Sequence, residues 1–230
     1  MEWPLPSFRV LSNGQIVWVA YDGHDEEIFF FDGLEIIQLT NNDENDNTPS
    51  IDNGQIVWLG NGYESDLFYY DGSNIHQITD SGYLQHGPEI SNGIISWYAK
   101  DIFLYDGTRV KQITDNNLNN QGLKNHEGDL VWYSNPSKLQ IFMRKFSVTA
   151  QITNNQYYNQ DPVIHSGMAA WIGVGHPTSD AFLFDGTNVI QLSDDATGDG
   201  IIRICNGRVA WIKMYEDDWE IFVAYPKLIE

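Results

Sequence analysis

A glycine followed four positions later by a tryptophan recurs six times along the chain. The pairs are Gly14 and Trp18, Gly54 and Trp58, Gly93 and Trp97, Gly128 and Trp132, Gly167 and Trp171, and Gly207 and Trp211. Successive tryptophans are 40, 39, 35, 39 and 40 residues apart, and only Trp3 and Trp219 fall outside this register. A fixed period of this length makes one supersecondary unit the building block. Such a unit cannot bury its apolar face alone, so the units must pack against one another.

Each unit carries the same four short runs. In the second unit they are Ser50-Ile51-Asp52, Gln55-Ile56-Val57-Trp58, Asp66-Leu67-Phe68-Tyr69-Tyr70 and Ile75-His76-Gln77-Ile78-Thr79. Asn53-Gly54 separates the first two and Asp71-Gly72 the last two. β-Branched and aromatic residues between Asn-Gly and Asp-Gly pairs read as strands joined by tight antiparallel turns, where φ > 0 is required. Each unit is therefore expected to be a four-stranded meander, strands A to D. The connections between units are equally regular: Thr40 to Pro49, Thr79 to Pro88, Thr114 to Leu123, Thr153 to Pro162 and Ser193 to Ile202 are each nine residues apart. No capped segment of helical period is present, so helix content should be minimal.

Radial repetition of four-stranded sheets, about four to eight of them, closes a ring around a channel. An open solenoid would need distinct polar caps, and no unit reads as one. The expected fold is all-β: a six-bladed β-propeller of four-stranded antiparallel blades. It forms one domain over residues 1–230, with blades near 7–40, 49–79, 88–114, 123–153, 162–193 and 202–230. Blade 6 can take its D strand only from Lys227–Glu230. Its seam with blade 1 is expected to close by face packing, with Trp3 over it.

The pattern Pro-x-Ile-x-Asn-Gly, x-Ile-x-Trp, Asp-Ile-Phe-x-Tyr-Asp-Gly and Gln-Ile-Thr resembles the TolB-type, WD40-like (PD40) propeller repeat over nearly the whole chain. The family's usual Ser-Pro-Asp-Gly turn appears as Ser12-Asn13-Gly14, Asp52-Asn53-Gly54 and Ser91-Asn92-Gly93. The resemblance implies the fold and a count of six blades. It implies no envelope role and no peptidase activity, because the extra domains that carry these are not among the 230 residues.

Charge then acquires a location. The chain has 12 Lys+Arg against 32 Asp+Glu, a formal net charge of −20. Long-range repulsion argues against nucleic acid and anionic lipid as partners. No run approaches the roughly 18 apolar residues of a membrane span, so no membrane insertion is expected. An aromatic content of 13% argues against a disordered acidic chain. A single cysteine, Cys205, cannot form an internal disulfide framework. The start, Met1-Glu2-Trp3-Pro4, has no signal-peptide pattern, so the expected location is cytoplasmic or particle-associated. Oligomeric state leaves no signal. In a meander the D-to-A and B-to-C connections share one rim. Those loops hold 21 of the 32 acids and 3 Lys+Arg, or −18. The other rim is made of short turns, where Asp32, Asp71, Asp106 and Asp185 are assigned to turn geometry.

Candidate binding residues follow from that rim. They are Asp43, Glu44, Asp46, Tyr83, His86, Tyr157, Tyr158, His176, Asp217 and Trp219, with Tyr157-Tyr158 the most ligand-like cluster. Aromatic faces beside acids and amides suit a basic protein surface or a sugar ring. The ends of the A strands supply a polar channel lining, Ser12, Asp52, Ser91, His126, His165 and Cys205. His126, His165, Asp52 and Cys205 have zinc-ligand chemistry, but a polar lining is the expectation and no metal site is assigned. No cofactor is expected. If calcium binds, the oxygen-rich loops are Asp43–Asn47 and Asp194, Asp195 and Asp199, although neither follows Asp-x-Asp-x-Asp-Gly spacing. The six register tryptophans are assigned to the core, and Cys205 to a small buried residue. No catalytic residues are assigned, because nucleophile-elbow, zincin, P-loop and sialidase-box patterns are all missing. The expected function is a non-catalytic binding or structural module for a protein partner or larger assembly. A lectin is the alternative, and a hydrolase at the channel mouth is least favoured.

Overall fold

The computed structural model describes residues 8–60, 65–80, 82–135, 138–175, 178–215 and 218–225. Met1–Pro6, with Trp3, and Lys227–Glu230 lie outside these residues. So do His176 and Asp217.

Among the described residues there are 23 strands and no helix. Contacts divide the chain into two compact units, Met1–Asp115 and Asn116–Glu230. The first unit holds three sheets. The first sheet has β1 (Phe8–Ser12), β2 (Gln15–Tyr21), β3 (Glu26–Phe31) and β4 (Ile36–Gln38). The second has β5 (Asn47–Asp52), β6 (Gln55–Gly60), β7 (Asp66–Tyr70) and β8 (Ile75–Gln77). The third has β9 (His86–Ser91), β10 (Ile94–Tyr98), β11 (Ile102–Tyr105) and β12 (Val110–Gln112).

The second unit repeats the plan. Its fourth sheet has β13 (Asn119–His126), β14 (Asp129–Asn135), β15 (Gln140–Lys145) and β16 (Val148–Gln151). The fifth has β17 (Tyr158–His165), β18 (Met168–Val174), β19 (Ser179–Phe184) and β20 (Val189–Gln191). The sixth has three described strands, β21 (Asp199–Cys205), β22 (Arg208–Tyr215) and β23 (Asp218–Ala224). Every sheet is an antiparallel meander in chain order.

Two repeated devices set the register. Each A-to-B turn places both central residues at positive φ, as at Asn53 (49°) and Gly54 (78°). This is the hairpin turn whose twist matches the strands, and it explains the Asn-Gly pairs. The four turn aspartates cap the C-to-D turns through Oδ1. Asp71, for example, accepts the N–H groups of Ser73 and Asn74, both at 2.8 Å. The A strand of sheets two to six also carries a bulge, because each register with strand B shifts there. A left-handed residue sits at each bulge: Thr48, Gly87, Gly122, Asp161 and Ile201.

The core lies between neighbouring sheets. In the first unit, Val17, Val19, Ile28 and Phe30 pack on Ile51, Ile56 and Trp58. Val57, Leu59 and Leu67 pack on Ile90, Ile95 and Trp97. In the second unit, the same arrangement joins the fourth sheet to the fifth and the fifth to the sixth. All six register tryptophans are buried. Each stacks on the strand-C phenylalanine directly across the ladder, from Trp97 and Phe103 at 5.7 Å to Trp211 and Phe222 at 6.0 Å.

Candidate functional site

The rim of D-to-A and B-to-C loops is organised by a hydrogen-bond network that repeats with the fold. A threonine or serine closes each D strand. Its hydroxyl accepts a backbone N–H of strand C, as in Ile28 to Thr40, Ile102 to Thr114 and Ala181 to Ser193, each at 2.9 Å. The hydroxyl then donates onward. Thr40 donates to Glu27 (2.5 Å), Thr79 to Asp66 (3.1 Å), Thr114 to Asp101 (2.9 Å) and Thr153 to Gln140 (2.9 Å). A second strut links the indole N–H of strand B to the D-to-A loop. Trp58 donates to Asp46, Trp97 to Gln85, Trp171 to Asn159 and Trp211 to Asp199. The acceptor always lies twelve residues before the tryptophan.

This network corrects the reading of the rim charge. Asp25, Glu27, Asp46, Asp66, Asp101, Asp180 and Asp199 are all buried. Seven of the 21 rim acids are therefore unavailable to a partner. Asp46, expected to contact a ligand, is 2% exposed and accepts from Trp58 at 3.0 Å and from Asn42 at 2.8 Å. Burial pushes its carboxyl above the ordinary range. Burial likewise pushes Glu27 up to about 7, against two hydrogen bonds that favour the anion.

The other candidates scatter. Asp43 is exposed, with His24 Nε2 3.4 Å away, and Glu44 is exposed beside it. Tyr157 is half-buried, edge-on to Phe182 at 5.2 Å and packed over Gly173 and Gly175. It is a packing residue and not an open platform. Tyr158 is exposed, but the Lys138 ammonium covers one ring face at 5.6 Å. His86 is exposed and stacks on Tyr98 at 5.4 Å. Trp219 is exposed on β23, paired across the ladder with Met214. In the two loops richest in oxygen donors, several carboxylates already have partners. Asp46 faces Trp58, and in the sixth sheet the Lys213 ammonium already bonds Asp195 and lies 4.0 Å from Asp199.

The ends of the A strands tie one sheet to the next within each unit. Asn53 N–H donates to Ser12 Oγ (3.3 Å) and Asn92 N–H to Asp52 Oδ2 (2.6 Å). In the second unit Ser166 N–H donates to His126 Nδ1 and Asn206 N–H to His165 Nδ1, both at 3.3 Å. An Nδ1 that accepts places the neutral imidazole proton on Nε2. The two rings lie 4.3 Å apart, and His165 Nε2 is 4.0 Å from Cys205 Sγ. Burial, then the neighbouring His126, lowers the His165 pKa. Cys205 is exposed, not buried as its residue type suggested. Ser91, at the corresponding end of β9, is half-buried.

One concave feature stands out on the rim of the first unit. A cavity of about 600 Å³ opens between the D-to-A loop and the third sheet. Ile78, Leu84, Trp97, Phe103 and Val110 line it, and Tyr83, 73% exposed, stands at its mouth. Asp80 and Lys100 edge it. The equivalent position on the second sheet is a smaller cavity of about 340 Å³ bounded by Trp58, Phe68 and Ile75, with Asp43 and Glu44 on its edge. Two signals in the sequence could have located it: the Tyr83-Leu84 pair in an otherwise polar loop, and the repeat that places Trp97 and Phe103 beneath it.

No family model matches the chain, and no curated protein matches it in sequence. Solved structures do match. The chain is similar to the β-propeller domain of the Trilobed protease from Pyrococcus furiosus. There the TM-score is 0.67 at 10% identity, covering 98% of this chain and 82% of that one. Human WBSCR16 gives 0.70 at 9% identity, covering 96% and 76%. TolB from Acinetobacter baumannii gives 0.54 at 14% identity, covering 89% and 61%. Identities this low carry the fold alone. The fold is a β-propeller, all-β, built from six sheets of three or four antiparallel strands. No helix among the described residues is long and apolar enough to cross a membrane.

Proposed function

We propose that the chain is a six-bladed propeller of TolB-type, PD40-like repeats that works as a non-catalytic binding module. Its partner is a protein segment with an apolar anchor and flanking Lys or Arg. The observation that carries this reading is the groove on the third sheet. An apolar floor of Ile78, Trp97 and Phe103 with an exposed tyrosine and leucine at its mouth suits an aliphatic or aromatic anchor. Exposed Asp43, Glu44 and Asp80 lie on the same rim and supply a complementary field for a basic flank. The polar network beneath keeps the loops in one shape, so little ordering cost accompanies docking.

The test starts from partners captured with the full chain from its native source. Tyr83→Ala and Leu84→Asp should each weaken the captured interaction by about tenfold or more, which is on the order of 1.4 kcal/mol. Tyr158→Ala should leave it intact. Full affinity in both groove variants would sink the reading. A glycan array with hits lost in Tyr158→Ala or Trp219→Ala, two exposed aromatics outside the groove, would favour the lectin reading instead.

A further inference from the structure

The first sheet contains a carboxylate cluster that the repeated network does not require. In the loop between β2 and β3, Asp22 N–H donates to the Asp25 carbonyl at 3.1 Å, and Gly23 takes φ of 116°. Asp22 Oδ1 accepts His24 N–H at 2.9 Å, which folds the loop back on itself. Glu27 follows at the start of β3. One carboxylate oxygen from each of Asp22, Asp25 and Glu27 lies within 4.8 Å of the others, and this is the only such group of three among the described residues.

Position 27 has a structural task, because it accepts from Thr40 like its counterparts Asp66, Asp101 and Gln140. Position 25 has none. Two residues before the equivalent strand-C position, the second to sixth sheets carry Glu64, Ala99, Lys138, Thr178 and Asp218, so the network does not fix the residue type there. Asp25 is 9% exposed, and both of its carboxylate oxygens are buried with no hydrogen-bond partner among the described residues. No Lys or Arg among those residues is paired with Asp22, Asp25 or Glu27. The nearest imidazole, His24, faces Asp43 instead. Glu27 is fully buried, with Oε1 accepting Asn42 N–H at 2.8 Å. Asp22 Oδ2 accepts from Gln38 at 3.1 Å. Two buried carboxylates and a third at the surface thus converge with no cation of the protein's own. Carboxylates out of water in this way require a counter-ion or a proton.

We propose that Asp22, Asp25 and Glu27 form a calcium site. The donors are all oxygen, with no nitrogen or sulfur, which selects a hard cation. Three carboxylates supply up to six oxygens, and water can complete the shell from the exposed Asp22 side. Calcium accepts such an irregular set at variable coordination number, whereas magnesium demands a near-regular octahedron and holds its own water. The Asp22 and Glu27 oxygens already accept hydrogen bonds, so their positions are fixed before the ion arrives. The ion would bridge β2, β3 and the D-to-A loop through Glu27 and Asn42.

The test uses the full chain after chelation and dialysis, with thermal unfolding followed as calcium, magnesium or zinc is added. Calcium should raise Tm by about 5 °C or more at roughly one hundred times its Kd, rising further with concentration. Magnesium and zinc should give much smaller shifts. Terbium should bind with luminescence sensitised by nearby Tyr21 or Trp18, and calcium should displace it. Asp25→Asn should abolish the calcium shift and the terbium signal. In chelator, Asp25→Asn should melt no lower than the parent, since it removes a buried unpaired charge. Asp43→Asn, outside the cluster, should respond as the parent does. No Tm shift with millimolar calcium and a silent terbium titration would overturn the site. So would a full calcium response in Asp25→Asn, or equal responses to all three metals.

Discussion

Asp195 and Lys213 show how much depends on where one charge sits. Lys213 is buried, its ammonium held by Asp195 and lying over the Phe222 ring at 5.2 Å. The Asp195 carboxylate is half exposed, and the Lys213 bond leads the interactions that hold its pKa down to about 2. A depressed carboxylate adds stability above its unfolded pKa, about 4, and loses it as pH falls towards 2. Solvent at the open side limits that contribution to about 1 kcal/mol. Asp195→Asn should therefore lower Tm at neutral pH and flatten the acid limb between about pH 4 and 2, read by melting curves across pH. An unchanged acid limb would show that the pair carries no pH-linked stability. Other acids on the rim could not be told apart from their neighbours in sequence. Asp43 and Asp46 are three apart in one polar loop, and nothing in their immediate neighbours separates the exposed one from the buried one. The distinguishing signal is distant: an Asp, Asn or Gln stands twelve residues before five of the register tryptophans, and at Asp46, Gln85, Asn159 and Asp199 it accepts the indole N–H. Asp25 had no such signal: the equivalent positions carry Glu64, Ala99, Lys138, Thr178 and Asp218, and only the fold shows its carboxylate buried without a hydrogen-bond partner among the described residues.

At the scale of the element, strands and turns were legible because their chemistry is local. Asn53-Gly54 fixes a positive-φ pair whatever lies around it. The strand-A bulge was not legible, because its five positions hold four residue types, Thr, Gly, Asp and Ile, and its cause lies across the ladder. At Gly87 and Gly122 a Cβ would stand 2.7 and 2.3 Å from the rings of Tyr98 and Tyr133, so glycine is required there. Ile201 holds the equivalent place in the sixth sheet at φ of 25°, 61% exposed. A β-branched residue in that region is strained by about 1–2 kcal/mol, and its exposed side chain offsets little of this. Ile201→Gly should raise Tm by a few degrees, net of the added freedom of the unfolded chain, in a thermal melt. A lower Tm would mean that the Ile201 side chain contributes more than its dihedral angle costs.

For the whole molecule, the charge of −20 needs redrawing. A rim with 21 acids reads as a uniform field, but seven of those acids are buried, several of them holding threonines, indoles and backbone. Under the proposed binding role, what remains outside, including Asp43, Glu44 and Asp80, would steer a basic partner and would not form the contact core. The association rate should therefore fall by about tenfold from roughly 50 to 500 mM salt while the dissociation rate stays nearly constant. Asp43→Asn with Glu44→Gln should reduce that slope, measured by stopped-flow or surface resonance, and a salt-independent rate would remove steering from the account. The inward acids also bear on how such a chain can change over time. Glu27, Asp66, Asp101 and Gln140 fill one role, and Asp46, Gln85, Asn159 and Asp199 another. Each place demands a lone pair at a given point in space, and several side chains can deliver it. Mutation can therefore wander among synonyms, sheet by sheet, without the architecture registering the loss. A lineage built on that tolerance forgets its spelling long before it forgets its shape.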